Sequence, residues 1–141
     1  MKKYTPYLFK TALVAVIIAI SLVGCEDGTI DGPTDDRDNF TGSWSCVENA
    51  GQPSETSFPV NISKDTDNSQ RILIGNFNNL GGSVKPYGTV NGTSLSIPSQ
   101  SVSGYTVSGT GTYSASSGNV SLNYTVNDGI GSENFTATLS Q

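Results

Sequence analysis

The sequence predicts an all-β protein: an eight-stranded antiparallel up-and-down meander that closes into a small barrel. Three observations lead there. From Phe40 onward, apolar residues recur with a period of two, as in Phe58-Val60-Ile62 and Val120-Leu122-Tyr124-Val126, with Ser, Thr and Asn between them. That alternation marks half-buried antiparallel strands. Gly-, Asn- and Asp-rich turns separate these runs at short, regular spacing. No interval between runs is long enough for a crossover helix, so sequence neighbours are expected to pair as spatial neighbours. Eight strands suffice to close a barrel; a two-sheet β-sandwich is the alternative arrangement.

Strands are expected near 42–48, 56–64, 70–77, 83–90, 93–98, 104–115, 118–127 and 132–140. The first carries Trp44 and Cys46, which share a face and are expected to point inward. Asp65 to Ser69 and Asn78 to Gly82 read as loops. Asn91-Gly92 is the strongest hairpin signal and predicts a type I′ turn. Ser117-Gly118-Asn119 and Asp128-Gly129 predict two more turns. Pro98 cannot donate to a ladder, so it must end a strand or sit at an edge or bulge. Gly109 and Gly111 fall on the inward face of their strand, where a missing side chain marks a bend or the approach of a large group. Trp44, the sole tryptophan, is the expected occupant of that space.

The residues before this domain have a different character. Lys2, Lys3 and Lys10 precede a nearly unbroken apolar run from Ala12 to Val23, and the run ends at Leu22-Val23-Gly24-Cys25. These are the parts of an export signal, with a cysteine at the spacing used for lipid attachment. A membrane-spanning helix would need about 20 apolar residues; this run is shorter. Residues 1–24 therefore read as a lipoprotein signal peptide and Cys25 as the lipidated residue. Each buried methylene contributes about 0.8 kcal/mol, so two or three acyl chains together hold a protein firmly. The expected partner is thus a membrane, reached through the lipid.

Loss of the signal removes three of the seven basic residues and leaves four against twelve acids, a formal charge of −8. Half of those acids crowd into residues 26–38 with Gly28, Gly32 and Pro33, so residues 25–38 read as the lipidated cysteine and an acidic flexible tether. Residues 39–141 make one domain of ordinary size. The acidity argues against nucleic acid, which rewards basic patches. If Cys25 is acylated, Cys46 has no disulfide partner and belongs in the core.

Catalytic chemistry has little to work with. The chain contains no histidine, so neither Cys46 nor any serine has the usual base. The domain carboxylates are Glu48, Glu55, Asp65, Asp67, Asp128 and Glu133. Three of them lie in predicted turns, and Glu48 is expected at the rim of the first strand. Asp65-Thr66-Asp67-Asn68-Ser69 has the start of a calcium loop without its glycine or distal glutamate, and reads as a polar hairpin loop. No catalytic residue, cofactor or metal site is expected.

Phe40-Thr41-Gly42-Ser43-Trp44 opens the domain with Gly-x-Trp on its first strand, and in this it resembles the lipocalins and related calycin barrels. The chain is also similar to small lipocalin-like lipoproteins of Gram-negative bacteria. Those place Phe-x-Gly-x-Trp after an acidic tether and carry an apolar strand ending in Asn-Phe, here Ile72 to Phe77. Ser96-Ile97-Pro98-Ser99-Gln100 and Gly109-Thr110-Gly111-Thr112 extend the likeness. The resemblance implies a barrel closed at one end by Trp44, an outer-membrane location and a capacity to bind a small apolar molecule. Cys25-Glu26-Asp27 resembles the acidic signal that places some lipoproteins on the cell surface. The expected function is a non-enzymatic envelope lipoprotein with a binding or structural domain; the alternative is a surface module for glycans or proteins, using polar strand faces and Tyr87 opposite Val84 and Val90.

Cys25→Ala is expected to abolish incorporation of labelled palmitate and to release or stall the protein. Undiminished labelling of that variant would overturn the assignment of Cys25.

Overall fold

The computed structural model describes residues 34–51 and 55–141; Cys25, the signal and most of the tether lie outside them. Eight strands run antiparallel in sequence order: β1 (Gly42–Asn49), β2 (Thr56–Lys64), β3 (Arg71–Gly75), β4 (Tyr87–Asn91), β5 (Ser94–Val102), β6 (Tyr105–Ser114), β7 (Asn119–Asn127) and β8 (Ser132–Ser140). Each pairs with the next, and β1 also pairs with β8, Cys46 opposite Leu139 and Glu48 opposite Ala137. That last ladder closes the sheet into a barrel and rules out the sandwich.

The alternation read from the sequence becomes the inside and outside of the wall. Trp44, Cys46, Phe58, Val60, Ile62, Val107, Leu122, Tyr124 and Leu139 are all buried, and Ser, Thr and Asn between them face out. One contiguous cluster of buried side chains fills the interior. Interior space is limited where three glycines stand. A Cβ on Gly109 would lie 2.6 Å from the Asn123 carbonyl oxygen and 2.5 Å from Tyr124 Cβ. One on Gly111 would lie 2.5 Å from Leu122, and one on Gly88 would lie 2.5 Å from Leu95. The inward glycines thus make room for Tyr124, Leu122 and Leu95 on adjacent strands, where the sequence had suggested Trp44.

Trp44 serves the end of the barrel at which the chain enters. Its indole N–H donates to the Phe40 carbonyl at 2.8 Å, and Phe40 is fully buried beneath it. A 3₁₀ turn over Asp36–Asn39 completes this end. The domain therefore begins before Asn39, and residues expected to be tether belong to it. The Arg37 guanidinium explains why: it donates to the backbone carbonyls of Asp65 and Asn68, each at 3.1 Å, and pairs with Asp35 at 2.8 Å. Asp36 accepts from the Gly92 N–H at 2.7 Å, and Lys64 bridges Asp35 and Asp38. Within the stretch that looked merely solvated, Asp36 and Arg37 are bonded into two loops.

Four boundaries depart from expectation. β3 ends at Gly75 rather than Phe77, because Asn76 turns left-handed at φ 59° and sends Phe77 into the barrel. β4 starts at Tyr87, after Pro86, so Val84 is buried in the preceding loop and not on the strand. β5 runs through Pro98 to Val102 by means of a bulge between Ile97 and Gln100. There the Gln100 side chain replaces a missing ladder, accepting from the Tyr87 N–H at 3.0 Å and donating to its carbonyl at 2.7 Å. The β4–β5 turn is Gly92-Thr93, since Asn91 pairs with Ser94. Only Gly92 of that pair has positive φ, which is the II′ and not the I′ pattern. The two positive φ values of a I′ turn occur instead at Ser103-Gly104, between β5 and β6.

Two substitutions probe this packing by urea unfolding. Trp44→Ala should cost about 3–5 kcal/mol, the usual loss for a buried large aromatic. Gly109→Ala should cost about 1–3 kcal/mol, because the new methyl meets backbone atoms that cannot rotate aside. Near-native stability of either would show that the interior is looser than described.

Candidate functional site

The chain-entry end is sealed by Phe40, Trp44 and the Arg37 turn, so the opposite end carries the more accessible chemistry. There the long loop between β3 and β4 folds over the mouth. Phe77 is buried with its ring centroid 4.5 Å from that of Tyr124, which stacks on Phe135 at 5.3 Å. Asn78 follows in a left-handed conformation, φ 51°. Its amide donates to Glu48 Oε1 at 3.0 Å and to the Tyr124 hydroxyl at 3.3 Å. One loop residue therefore ties β1 to β7 across the mouth.

Glu48 is 7 % exposed, the one charged residue among the buried side chains described. It was expected at the rim; it shares the inward face of Trp44 and Cys46 and is buried, and that Asn78 would meet it was not legible, because Asn78 is 30 positions away in a loop. Burial raises the Glu48 pKa above its ordinary value, and the Asn78 hydrogen bond opposes that only in part. Cys46, two residues earlier, is 2 % exposed, and burial plus the nearby Glu48 charge push its thiol up to about 12. It stays protonated at physiological pH, a core thiol and not an activated nucleophile.

The remaining carboxylates are dispersed. Asp128 and Glu133 line a hollow of about 200 Å³ at the mouth with Asn78, Tyr105 and Phe135. Asp128 is occupied by its own loop, accepting from the Ile130 and Gly131 N–H groups at 2.8 and 2.9 Å, and these bonds lower its pKa. Glu48 and Glu55 both border a groove of about 350 Å³ on the outer wall. The wall separates their acid groups: Glu48 turns in to Asn78, and Glu55 is exposed. Asp65 and Asn68 cap their own loop, accepting from the Asp67 and Gln70 N–H groups at 2.9 Å each. Among the described residues no three His, Cys, Asp or Glu side chains gather as a metal site would require. Tyr87, considered as an aromatic platform, carries the Arg71 guanidinium 4.1 Å above its ring.

Cys25 lies outside the described residues, so no geometry bears on its role. No family model, curated protein or solved structure matches the chain.

The Glu48 arrangement has a definite pH signature. A carboxyl whose folded pKa lies above its unfolded value contributes most below the unfolded value, and that contribution is lost as pH rises through the folded pKa. Glu48→Gln keeps the shape and can still accept from Asn78 without a buried charge. It should be more stable than the wild type at pH 7, with the difference shrinking toward zero as pH falls below the ordinary carboxylate range. A variant less stable than wild type at pH 7 would show that the ionised form is the one the mouth favours.

Proposed function

We propose that this is a lipocalin-like lipoprotein of the bacterial cell envelope, held at the outer membrane by lipid on Cys25, whose barrel acts from its outside as a non-catalytic interaction or structural module. The observation that carries this reading is the filled interior. A carrier of apolar molecules needs a pocket that buries most of its ligand. Here Trp44, Phe58, Ile72, Ile74, Tyr124 and Phe135 occupy that space, and both ends are stoppered, by Phe40 and by Phe77. The hollows described are instead bordered by loops, the mouth or outward strand positions, as with Ser43 and Asn61 on one wall beside the loop residue Lys85. This favours the surface alternative over the lipid carrier that the family resemblance implies. The lipocalin kinship is supported by the closed eight-stranded meander and by Gly42-x-Trp44 at the start of β1. The lipid anchor rests on the Leu22-Val23-Gly24-Cys25 sequence.

Trp44, as the sole tryptophan, reports on the interior. The mature chain with Cys25→Ala, titrated with a fluorescent fatty acid, should show no saturable binding and no change in Trp44 emission. Saturable uptake that quenches Trp44 and is displaced by unlabelled fatty acid would restore the carrier function and end the surface reading.

A further inference from the structure

Charge is distributed unevenly over the barrel. Every outward position of β6, β7 and β8 is Ser, Thr or Asn. Over all eight strands the one charged outward residue is Arg71. Acids and bases sit instead at the two ends: Asp35, Asp36 and Asp65 at one, Asp128 and Glu133 at the other. Strand propensity accounts for threonine on a β-face, but it gives no reason to avoid lysine, arginine and glutamate, which ordinarily make up about a quarter or more of a protein surface. Nor is an edge being managed, since the barrel is closed and leaves none.

This wall is also concave in one place. A hollow of about 490 Å³ and a second of about 350 Å³ adjoin across β7, β8 and β1; both are bordered by Asn49, Asn123 and Thr136, the first also by Tyr124 and Phe135 and the second by Val47 and the exposed Glu55. These three belong to one cross-strand row, Thr110 opposite Asn123, Asn123 opposite Thr136 and Thr136 opposite Asn49. The row above it sets Thr125 opposite Asn134, whose side chains are bonded at 2.7 Å. The groove floor is thus a ladder of hydroxyls and amides, strands about 4.8 Å apart, each rung able both to donate and to accept.

We propose that this groove is a docking site for an uncharged polysaccharide chain. The proposal rests on the surface-module reading above and supplies its partner. Neutral sugar hydroxyls are donors and acceptors at once, and they match such a ladder without leaving an ion desolvated. The one exposed charge at the groove is the Glu55 carboxylate, so a cationic polymer would find a single counter-ion there, and the chain's acidity would repel an anionic one. A protein partner would seek apolar or aromatic anchors. Among the outward strand positions that line the groove the one apolar side chain is Val47 on β1, 37 % exposed, too small to serve as such an anchor. Without an aromatic ring to stack upon, each contact is weak. A lipid anchor compensates by presenting many copies on one surface to a repeating polymer, which converts weak contacts into avidity.

The test uses the full lipidated chain inserted into phosphatidylcholine vesicles. Co-sedimentation is read with fluorescent dextran, mannan, galactan and soluble β-glucan, and with heparin and hyaluronate as charged polymers. At least one neutral polymer should be retained and the charged ones should not. Thr136→Glu, in the centre of the groove, and Asn123→Ala, which removes an amide without adding charge, should each cut retention roughly tenfold or more, as loss of a repeated contact does in a multivalent system. Ser96→Glu on β5 should leave it intact, and unchanged Trp44 emission in all three establishes that they fold. Retention of no neutral polymer, or equal retention of the charged ones, overturns the groove. Concentration-dependent dimers that Thr136→Glu dissolves would make the wall a contact between copies and overturn it likewise. Fatty-acid uptake by the core would overturn the surface reading itself, which separates the two failures.

Discussion

Closure is the constraint on which everything else in this molecule depends. The ladder between β1 and β8 converts an open meander into a ring, and a ring of eight strands encloses a fixed and small interior. Once that ladder forms, inward positions have nowhere to go and must fit. Large side chains on one strand then require small ones on the next. Gly109 and Gly111 on β6 yield to Tyr124 and Leu122 on β7, and Gly88 on β4 yields to Leu95 on β5. These glycines weaken their own strands by propensity. They are retained because a Cβ at each would meet atoms of the adjoining strand.

A ring has two openings, and the chain closes them by different physics. At the entry end, Asp35 and Arg37 form a charge-assisted pair whose guanidinium also satisfies loop carbonyls. The Arg37 hydrogen bond first, and Lys64 second, hold the Asp35 carboxyl well below its ordinary range. That contribution is present above the ordinary carboxylate pKa and is lost as pH falls through the lowered one; solvent exposure keeps it modest. At the mouth, Glu48 behaves oppositely, raised by burial and most favourable when protonated. Acid therefore loosens one stopper while easing the other.

The wall was legible in the sequence and the stoppers were not. Period-two alternation is local, so β1, β2, β6, β7 and β8 fall within a residue or two of expectation, and closure followed from strand number and short connections. What failed was set by distant partners. Nothing near Asp35–Asp38 announces that Arg37 will bond to carbonyls 28 and 31 positions away, so an ordered turn looked like tether. Asn76, Asn78 and Asn79 all adopt positive φ, and an Asn-rich run is a usable sign of such backbone; it marked a loop without showing that Phe77 would plug the mouth. The β5 bulge depends on Gln100 reaching Tyr87, which no local pattern encodes. Parity with Trp44 and Cys46 points Glu48 inward, but a rim carboxylate was expected there; its burial depends on Asn78, which no local pattern brings to it.

A filled interior moves any binding to the exterior, and the exterior is not uniform. The charged residues of the described barrel lie mostly at its two ends. The outward positions of β6 to β8 carry none, and hydroxyls and amides suffice to hydrate the sheet. The proposed anchor adds a geometric limit. From Cys25 to Thr34 a fully extended chain reaches about 30 Å, so lipid on Cys25 would hold the end bearing the Arg37 turn nearest the membrane. The side walls stand clear of that end, and among them the groove at Asn123 and Thr136 is concave and bordered by one exposed carboxylate, Glu55. A hydrogen-bonding wall with a single carboxylate at its rim would, in many copies above a membrane as proposed, suit partners that are themselves uncharged, extended and repetitive, because there a weak contact is multiplied by number and not by depth.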